Sequence, residues 1–330
     1  MIYSPHTFEI TLNLDTDKFI KLKNKAYDKA KGKYQVYPKG DVSNDHALKN
    51  HGIKIEYHDS IYKKKIKFIV NPTRMLGGDD IKKLWKPNED NISKLLRKLN
   101  ENIENYFNSK YNLNDFKLTR IDFTVNIDVD DREYVSAYIK VLHNIGKVKG
   151  FAPKYSKYND QIDQDNSFDL KGNSNGIEFT AYDKEAVAKQ KEATGILRVE
   201  VRLKNSKAIR KYTKETVTAK KIKNLTLNSK DIFLETFTNI VPFGEYYKKK
   251  DAVKLIKENI QKIKHRNKML RLIELIPIKK SLYLAKKEMK DRNIDKVMEL
   301  FMKLYLSPVT ISKRHKIKTL KSLYWYLLDE

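Results

Sequence analysis

Polar and apolar residues alternate with period two over several short runs and recur near every 3.6 residues over others, so the chain mixes strands and helices. Residues 1–15 alternate as a strand, and residues 16–31 follow with a helical pattern. GIKIEYH (52–58) and KKKIKFIVN (63–71) both alternate and flank the turn DSIY, which predicts a hairpin. LGGDD breaks the chain. NEDNISKLLRKLNENIENYF (88–107), apolar at Ile92, Leu95, Leu96, Leu99, Ile103 and Phe107, predicts an amphipathic helix with an acidic start.

The order then recurs. FKLTRIDFTVNID (116–128) reads as a strand, and REYVSAYIKVLHNIG (132–146) as a helix ending at Gly146. Residues 150–175 are polar and read as a loop. GIEFTAYDK (176–184) is a strand, EAVAKQKEATG a short helix and GILRVEVRLKN (195–205) another strand. Strand, helix, strand, strand, helix thus appears roughly twice. This predicts an α+β region over 1–228, with two similar halves, about 1–112 and 113–228, built around antiparallel sheets.

From residue 229 the alternation stops, and an all-helical region over 229–330 is expected. DAVKLIKENIQKIKHRNKMLRLIELI (251–276) reads as one long basic helix closed by Pro277. A helix over 281–291 follows, then helices over 294–305, 307–315 and 318–328. Ser307-Pro308 fits an N-cap with proline at the first helical position. Three short helices with a tight link between the last two predict a helix-turn-helix over 294–328.

The strands also divide their faces by chemistry. Arg120, Asp122, Thr124 and Asn126 share one face of RIDFTVNID, opposite Ile121, Phe123, Val125 and Ile127. Arg198, Glu200 and Arg202 share a face of LRVEVRLKN, and Glu178, Thr180, Tyr182 and Lys184 share a face of IEFTAYDK. Two or three carboxylates on such a face suit a hard divalent ion, Mg²⁺ or Mn²⁺. A phenol beside them is a candidate nucleophile, with Lys184 as the cation that favours its ionised form. Each piece alone is also an ordinary feature of a sheet: the chain has 20 tyrosines, and Arg-x-Glu-x-Arg serves equally as a cross-strand charge ladder.

Charge changes the picture more than composition does. The 330 residues carry 68 Lys+Arg against 42 Asp+Glu, a net charge of +26, with no cysteine and hence no disulfide framework. Residues 246–330 alone hold 23 basic and 9 acidic residues. That balance points to a polyanion, nucleic acid first, with a lysine-rich solubility surface as the plain alternative. No apolar run approaches a membrane span and the N-terminus has no signal-peptide pattern, so a cytoplasmic protein without a membrane partner is expected. There is no P-loop and no G-x-S-x-G.

The order KKKIKFIVNPTRMLGG, long helix, LTRIDFTVNID, IEFTAYDKE, ILRVEVRLK resembles the rolling-circle replication initiators, both the phage/plasmid replication protein II/X type and the Rep_trans plasmid initiators with their relaxase cousins. The likeness covers roughly residues 50–205. It implies an HUH-endonuclease-like nicking fold, a metal-dependent site-specific single-strand nick and a covalent 5′-phosphotyrosyl intermediate. By motif match, the resemblance makes Tyr182 the candidate nucleophile, and Asp122 and Glu200 the candidate metal ligands. The third ligand is open: Glu178 fits by face parity, while His58, beside Glu56 near a hairpin turn, is more often simply exposed, and Tyr155 or Tyr158 is the next candidate nucleophile should Tyr182 fail. The His-hydrophobic-His metal pair of the wider superfamily is absent. Arg120, Arg198 and Arg202 are candidates to hold the strand being cut. Lys316, Lys318, Thr319 and Lys321, with His315 just before, are candidates to read duplex origin DNA. A host helicase and a second copy of the chain are further expected partners. A non-catalytic DNA-binding initiator or regulator and a conjugative relaxase are the alternative functions.

Overall fold

A computed structural model describes residues 1–30, 35–37, 40–42, 48–78, 80, 82–154 and 166–328. The strands in chain order are β1 (Ser4–Leu14), β2 (Gln35–Tyr37), β3 (Gly40–Val42), β4 (Ile53–Asp59), β5 (Lys64–Val70), β6 (Lys117–Asp128), β7 (Phe151–Pro153), β8 (Ser167–Gly172), β9 (Ile177–Asp183) and β10 (Ile196–Leu203). Two short ones follow, β11 (Tyr246–Tyr247) and β12 (Thr319–Leu320). The chain is a mixed α/β protein whose contacts form two compact units. One unit comprises Ile2–Thr124 and Arg202–Ile232, and the other Met1, Val125–Val201 and Phe233–Glu330.

In the first unit the strand order is β4-β5-β1-β6. The predicted hairpin forms, with Ile55 opposite Phe68 and Glu56 opposite Lys67. β1 lies antiparallel to β5, with Ile10 opposite Phe68 and Thr11 opposite Lys67. Apolar residues therefore meet apolar ones across each pair and polar meet polar, because a period of two keeps faces in step once the register is set. The apolar face is covered by the helix Glu89–Phe107, which buries Ile92, Leu95, Leu99, Ile103 and Phe107 at helical spacing. Asn88 caps that helix by accepting from the Asn91 N–H at 2.9 Å. Phe68 stacks on Phe107 at 6.1 Å between centroids and tilts against Phe116 at 5.2 Å.

In the second unit the order is β6-β10-β9-β8-β7. The helix Arg132–Ile145 buries Val135, Tyr138, Ile139, Leu142 and Ile145. It ends at Gly146, which takes φ 59 with ψ −137. A Cβ there would lie 2.1 Å from the Lys280 carbonyl oxygen. Gly146→Ala should therefore cost more than backbone strain alone, which is about 1–3 kcal/mol. Gly150 also has positive φ but open space around it. A drop in unfolding temperature no larger for Gly146→Ala than for Gly150→Ala would remove the clash from the account.

Several sequence expectations are corrected. The stretch 150–175 carries β7 and β8, which pair antiparallel, with Phe151 opposite Gly172. The long basic helix is two helices, Lys249–Asn259 and Ile263–Lys279, because Ile260 turns extended (φ −108, ψ 99) and is buried. Pro277 sits inside the second helix and does not close it; the helix runs two residues further and ends at Lys280 in the left-handed region.

The region from 229 onward is not all-helical, and the helix-turn-helix does not form. Residues 307–315 form no helix: they run through a bend at 308–309, a bridge at Ile311 and a turn from 313. Leu306 and Ile311 bridge in parallel to Glu245 and Lys248, and Thr319 pairs with Tyr247. The Ser307 hydroxyl does accept from the Val309 N–H at 3.3 Å, but the Ser307 N–H donates to the Glu245 carbonyl at 2.8 Å. Backbone pairing with a segment some sixty residues earlier overrides the local signal. Of the three expected helices, Ile294–Lys303 and Leu323–Leu328 are present. No helix among the described residues is long and apolar enough to cross a membrane.

Candidate active site

β9 is buried along its whole length, so its polar face points into packed surroundings. Tyr182 is 8% exposed. Its hydroxyl donates to Glu200 Oε1 on β10 at 2.7 Å. Arg198, two residues before Glu200 on the same face and 1% exposed, donates from Nε to Asn126 Oδ1 at 2.8 Å. Lys184 leaves the strand and opens a short helix, Lys184–Ala188, which Asp183 caps by accepting from the Ala186 N–H. Its amine still lies within the fields of Arg198 and Glu200. The sequence face Glu178-Thr180-Tyr182-Lys184 thus survives as a cluster, with Glu200 and Arg198 joined to it.

The electrostatics run opposite to the expectation of a cation-stabilised phenoxide. Burial pushes the Tyr182 phenol well above its ordinary value, and the Glu200 charge pushes the same way, while Arg198 opposes. Burial pulls Lys184 down to about 8, with Arg198 adding to the fall and Glu200 resisting it. The resting site is a neutral phenol hydrogen-bonded to a carboxylate, beside an amine whose charge is easily lost.

β8, read from the sequence as loop, supplies residues that were missed. Asp169 stands opposite Thr180 and Ser167 opposite Tyr182. Asp169 accepts from Thr180 Oγ1 at 2.8 Å and from Ser167 Oγ at 2.9 Å. The signal was present in the alternation of SFDLKG, where Phe168 and Leu170 are buried. Lys154 lies 3.6 Å from Glu178. Tyr155 and Tyr158 lie outside the described residues.

The first unit carries a second polar face. Arg120 holds Asp122 with both prongs, Nε to Oδ1 at 2.8 Å and Nη2 to Oδ2 at 2.5 Å, and its third nitrogen donates to Glu9 at 2.9 Å. Arg202 approaches Asp122 at 3.8 Å. Lys67 bridges Glu9 at 3.2 Å and Glu56 at 3.6 Å, and His58 lies 3.4 Å from Glu56. Glu56 is held down at about 2, first by its hydrogen bond with His58, against the cost of burial.

The expected metal ligands are therefore committed elsewhere. Asp122 is held by Arg120, Glu200 accepts from Tyr182 and Glu178 faces Lys154. Among the described residues no group of three or more His, Asp or Glu side chains is placed to hold a metal ion. As arranged, these residues do not fit a divalent cation.

The expected duplex readers share no helix. Lys316, Lys318 and Lys321 are exposed on irregular chain, and Thr319 is in β12. The Lys316 N–H donates to Glu133 Oε1 at 3.0 Å, and the Lys321 carbonyl accepts from the Tyr138 hydroxyl at 2.9 Å. The backbone here is a structural seam with lysines on its outside.

No family model matches the chain, and no curated protein matches it. Among solved structures the chain is similar to a rolling circle replication initiator protein from Geobacillus stearothermophilus, at 14% identity over 72% of this chain and 85% of that one, with a TM-score of 0.37. At that score the likeness establishes no common fold.

Proposed function

We propose that this chain is a rolling-circle replication initiator that nicks and rejoins single-stranded DNA through Tyr182. One observation carries the reading: the buried phenol donates its hydrogen bond to Glu200, on the strand whose Arg-x-Glu pattern the sequence resemblance singles out. A nucleophile within hydrogen-bond reach of a carboxylate, and a cation beside both, is the arrangement that acyl- and phosphoryl-transfer sites share.

In this reading Glu200 is the general base. Tyr182 Oη attacks the scissile phosphorus as its proton passes to Glu200. The P–O3′ bond breaks and the electron pair leaves with the 3′ oxygen. That oxygen takes a proton from the Lys184 ammonium, whose value near 8 suits an acid at neutral pH. Arg198 supplies fixed positive charge while the phosphorane forms. Reversal of these steps rejoins the strand. No step is assigned to a divalent ion. Two related halves in the α+β region and origin recognition by the basic C-terminal region belong to the same proposal.

A second reading, a DNA-binding initiator without chemistry, draws on the burial of Tyr182 and its raised proton affinity. The two are separated by incubating the protein with a labelled single-stranded oligonucleotide and running a denaturing gel. A retarded covalent species supports the enzyme; its absence with tight DNA binding supports the second reading. The pH profile tests Lys184. Adduct formation should be level below pH ~8 and fall about tenfold per unit above it, as the ammonium loses its proton. Lys184→Arg should remove that fall. A rate that keeps climbing past pH ~9 would take the acid role from Lys184.

A further inference from the structure

We propose that a cleft between the first turns of the helices Ile263–Lys279 and Ile294–Lys303 is a phosphate site that grips nucleic-acid backbone. The cleft encloses about 230 Å³ and lies wholly within the second unit. Lys262, Lys264, Lys268 and Lys296 line it, with Val297 and Leu300 as its apolar floor.

Three features of the cleft act together. Lys262 and Asn293, which also line it, are the N-cap residues of the two helices, and neither makes a side-chain cap. The Ile294 N–H donates to the Asp291 carbonyl, the Lys296 N–H to that of Asn293 and the His265 N–H to that of Lys262, so what the helix starts offer an anion is mainly their field. Each helix N-terminus also brings roughly half a positive charge. Second, the lysines are barely neutralised. Lys268 pairs with Asp291 at 2.5 Å, but among the described residues no carboxylate pairs with Lys262, Lys264 or Lys296. Asp295, in the first turn of the second helix, is 91% exposed and lies 3.9 Å from Lys286 instead. Third, His265 on the same wall is harder to protonate than an ordinary imidazole, through burial and then through Lys262, Lys296, Lys268 and Lys264. A neutral cavity would not convene four cations and two helix N-termini. An anion bound there offsets their mutual repulsion and meets the positive ends of both helices.

A backbone phosphodiester fits better than a free oxyanion. The cleft sits in a segment, 246–330, with 23 basic and 9 acidic residues, so flanking phosphates also meet lysines. The apolar floor offers contact to a sugar. This inference rests on the reading of the chain as a DNA-binding protein, but not on the chemistry at Tyr182.

The test is binding of full-length protein to labelled duplex and single-stranded DNA over a salt series. The Lys264→Ala/Lys296→Ala double variant should lower the log–log salt slope by about 2 and weaken binding roughly tenfold to a hundredfold near physiological salt. Lys303→Ala/Lys313→Ala removes the same charge outside the cleft and should change the slope less. Equal effects from the two pairs, or none from the first, would overturn the site. His265 gives an independent readout. Its NMR titration should move to higher pH when DNA binds, because a phosphate cancels the lysine field. If inorganic phosphate moves it and DNA does not, the cleft takes a free oxyanion and the proposal fails. Wild-type protein that binds no DNA would overturn the DNA-binding reading itself. Wild-type protein that binds DNA without forming an adduct overturns only the nicking chemistry and leaves the site standing.

Discussion

Tyr182→Phe is expected to abolish the covalent DNA adduct while leaving DNA binding in place. The ring stays in its pocket and only the hydroxyl is lost, so packing is conserved. The loss removes the Tyr182 bond to Glu200, a cost of about 1–3 kcal/mol if nothing replaces it. A modest fall in unfolding temperature should therefore accompany complete loss of chemistry, and a folded, DNA-binding, inactive protein is the expected outcome. Glu200→Gln gives the complementary result. A glutamine oxygen can still accept from the phenol, so the fold should hold, but it is no base, and the rate should fall by roughly 10²–10⁴. Quantifying the retarded oligonucleotide on a denaturing gel reads both variants. An adduct of undiminished yield from Tyr182→Phe would move the nucleophile elsewhere, with Tyr155 and Tyr158 next in line. An undiminished rate in Glu200→Gln would leave the hydrogen bond as a structural one.

What the sequence revealed and what it hid divide by range. The hairpin of β4 and β5, the helix Glu89–Phe107 with its acidic start, and the helix ending at Gly146 all rest on local chemistry and lie within a residue or two of their expected bounds. The polar faces of β6, β9 and β10 were legible from alternation, and so was the company of Tyr182 and Glu200 on such faces. Their hydrogen bond was not, because alternation sets a face and not a cross-strand neighbour. The interlock of Arg120 with Asp122 was within reach, since residues i and i+2 of a strand point the same way. The resemblance assigns Arg120 to DNA and Asp122 to a metal, and so separates two side chains that the strand holds together. β8 was missed because Asp169, Lys171 and Gly172 resemble a loop until Phe168 and Leu170 are seen to alternate with them. The helix expected over 307–315 failed for the opposite reason. Its local signal is good, but the carbonyl of Glu245 claims the Ser307 N–H, and no local pattern contains that partner.

Asp122→Ala is expected to cost about 3–5 kcal/mol, because it strands a largely buried guanidinium. Arg120 would keep only its bond to Glu9, and Arg202 would lose the carboxylate it approaches. The strain should appear as a lower urea midpoint, with little change in slope if the unfolded state is unaffected. Replacing both partners by apolar residues of similar volume, Arg120→Met with Asp122→Leu, should recover much of the loss, since the pair is then removed without leaving an orphan charge. The same variant separates the two roles of Asp122. If the side chain serves Arg120, the deficit of Asp122→Ala is the same in EDTA as in Mn²⁺. If it holds a divalent ion, Mn²⁺ raises the unfolding temperature of the wild type and not of the variant, and the deficit shrinks toward zero in EDTA. Asp122→Ala within about 1 kcal/mol of the wild type in EDTA would sink the ion-pair account, because a carboxylate 3% exposed and gripped by two guanidinium nitrogens cannot be removed so cheaply unless Arg120 finds water.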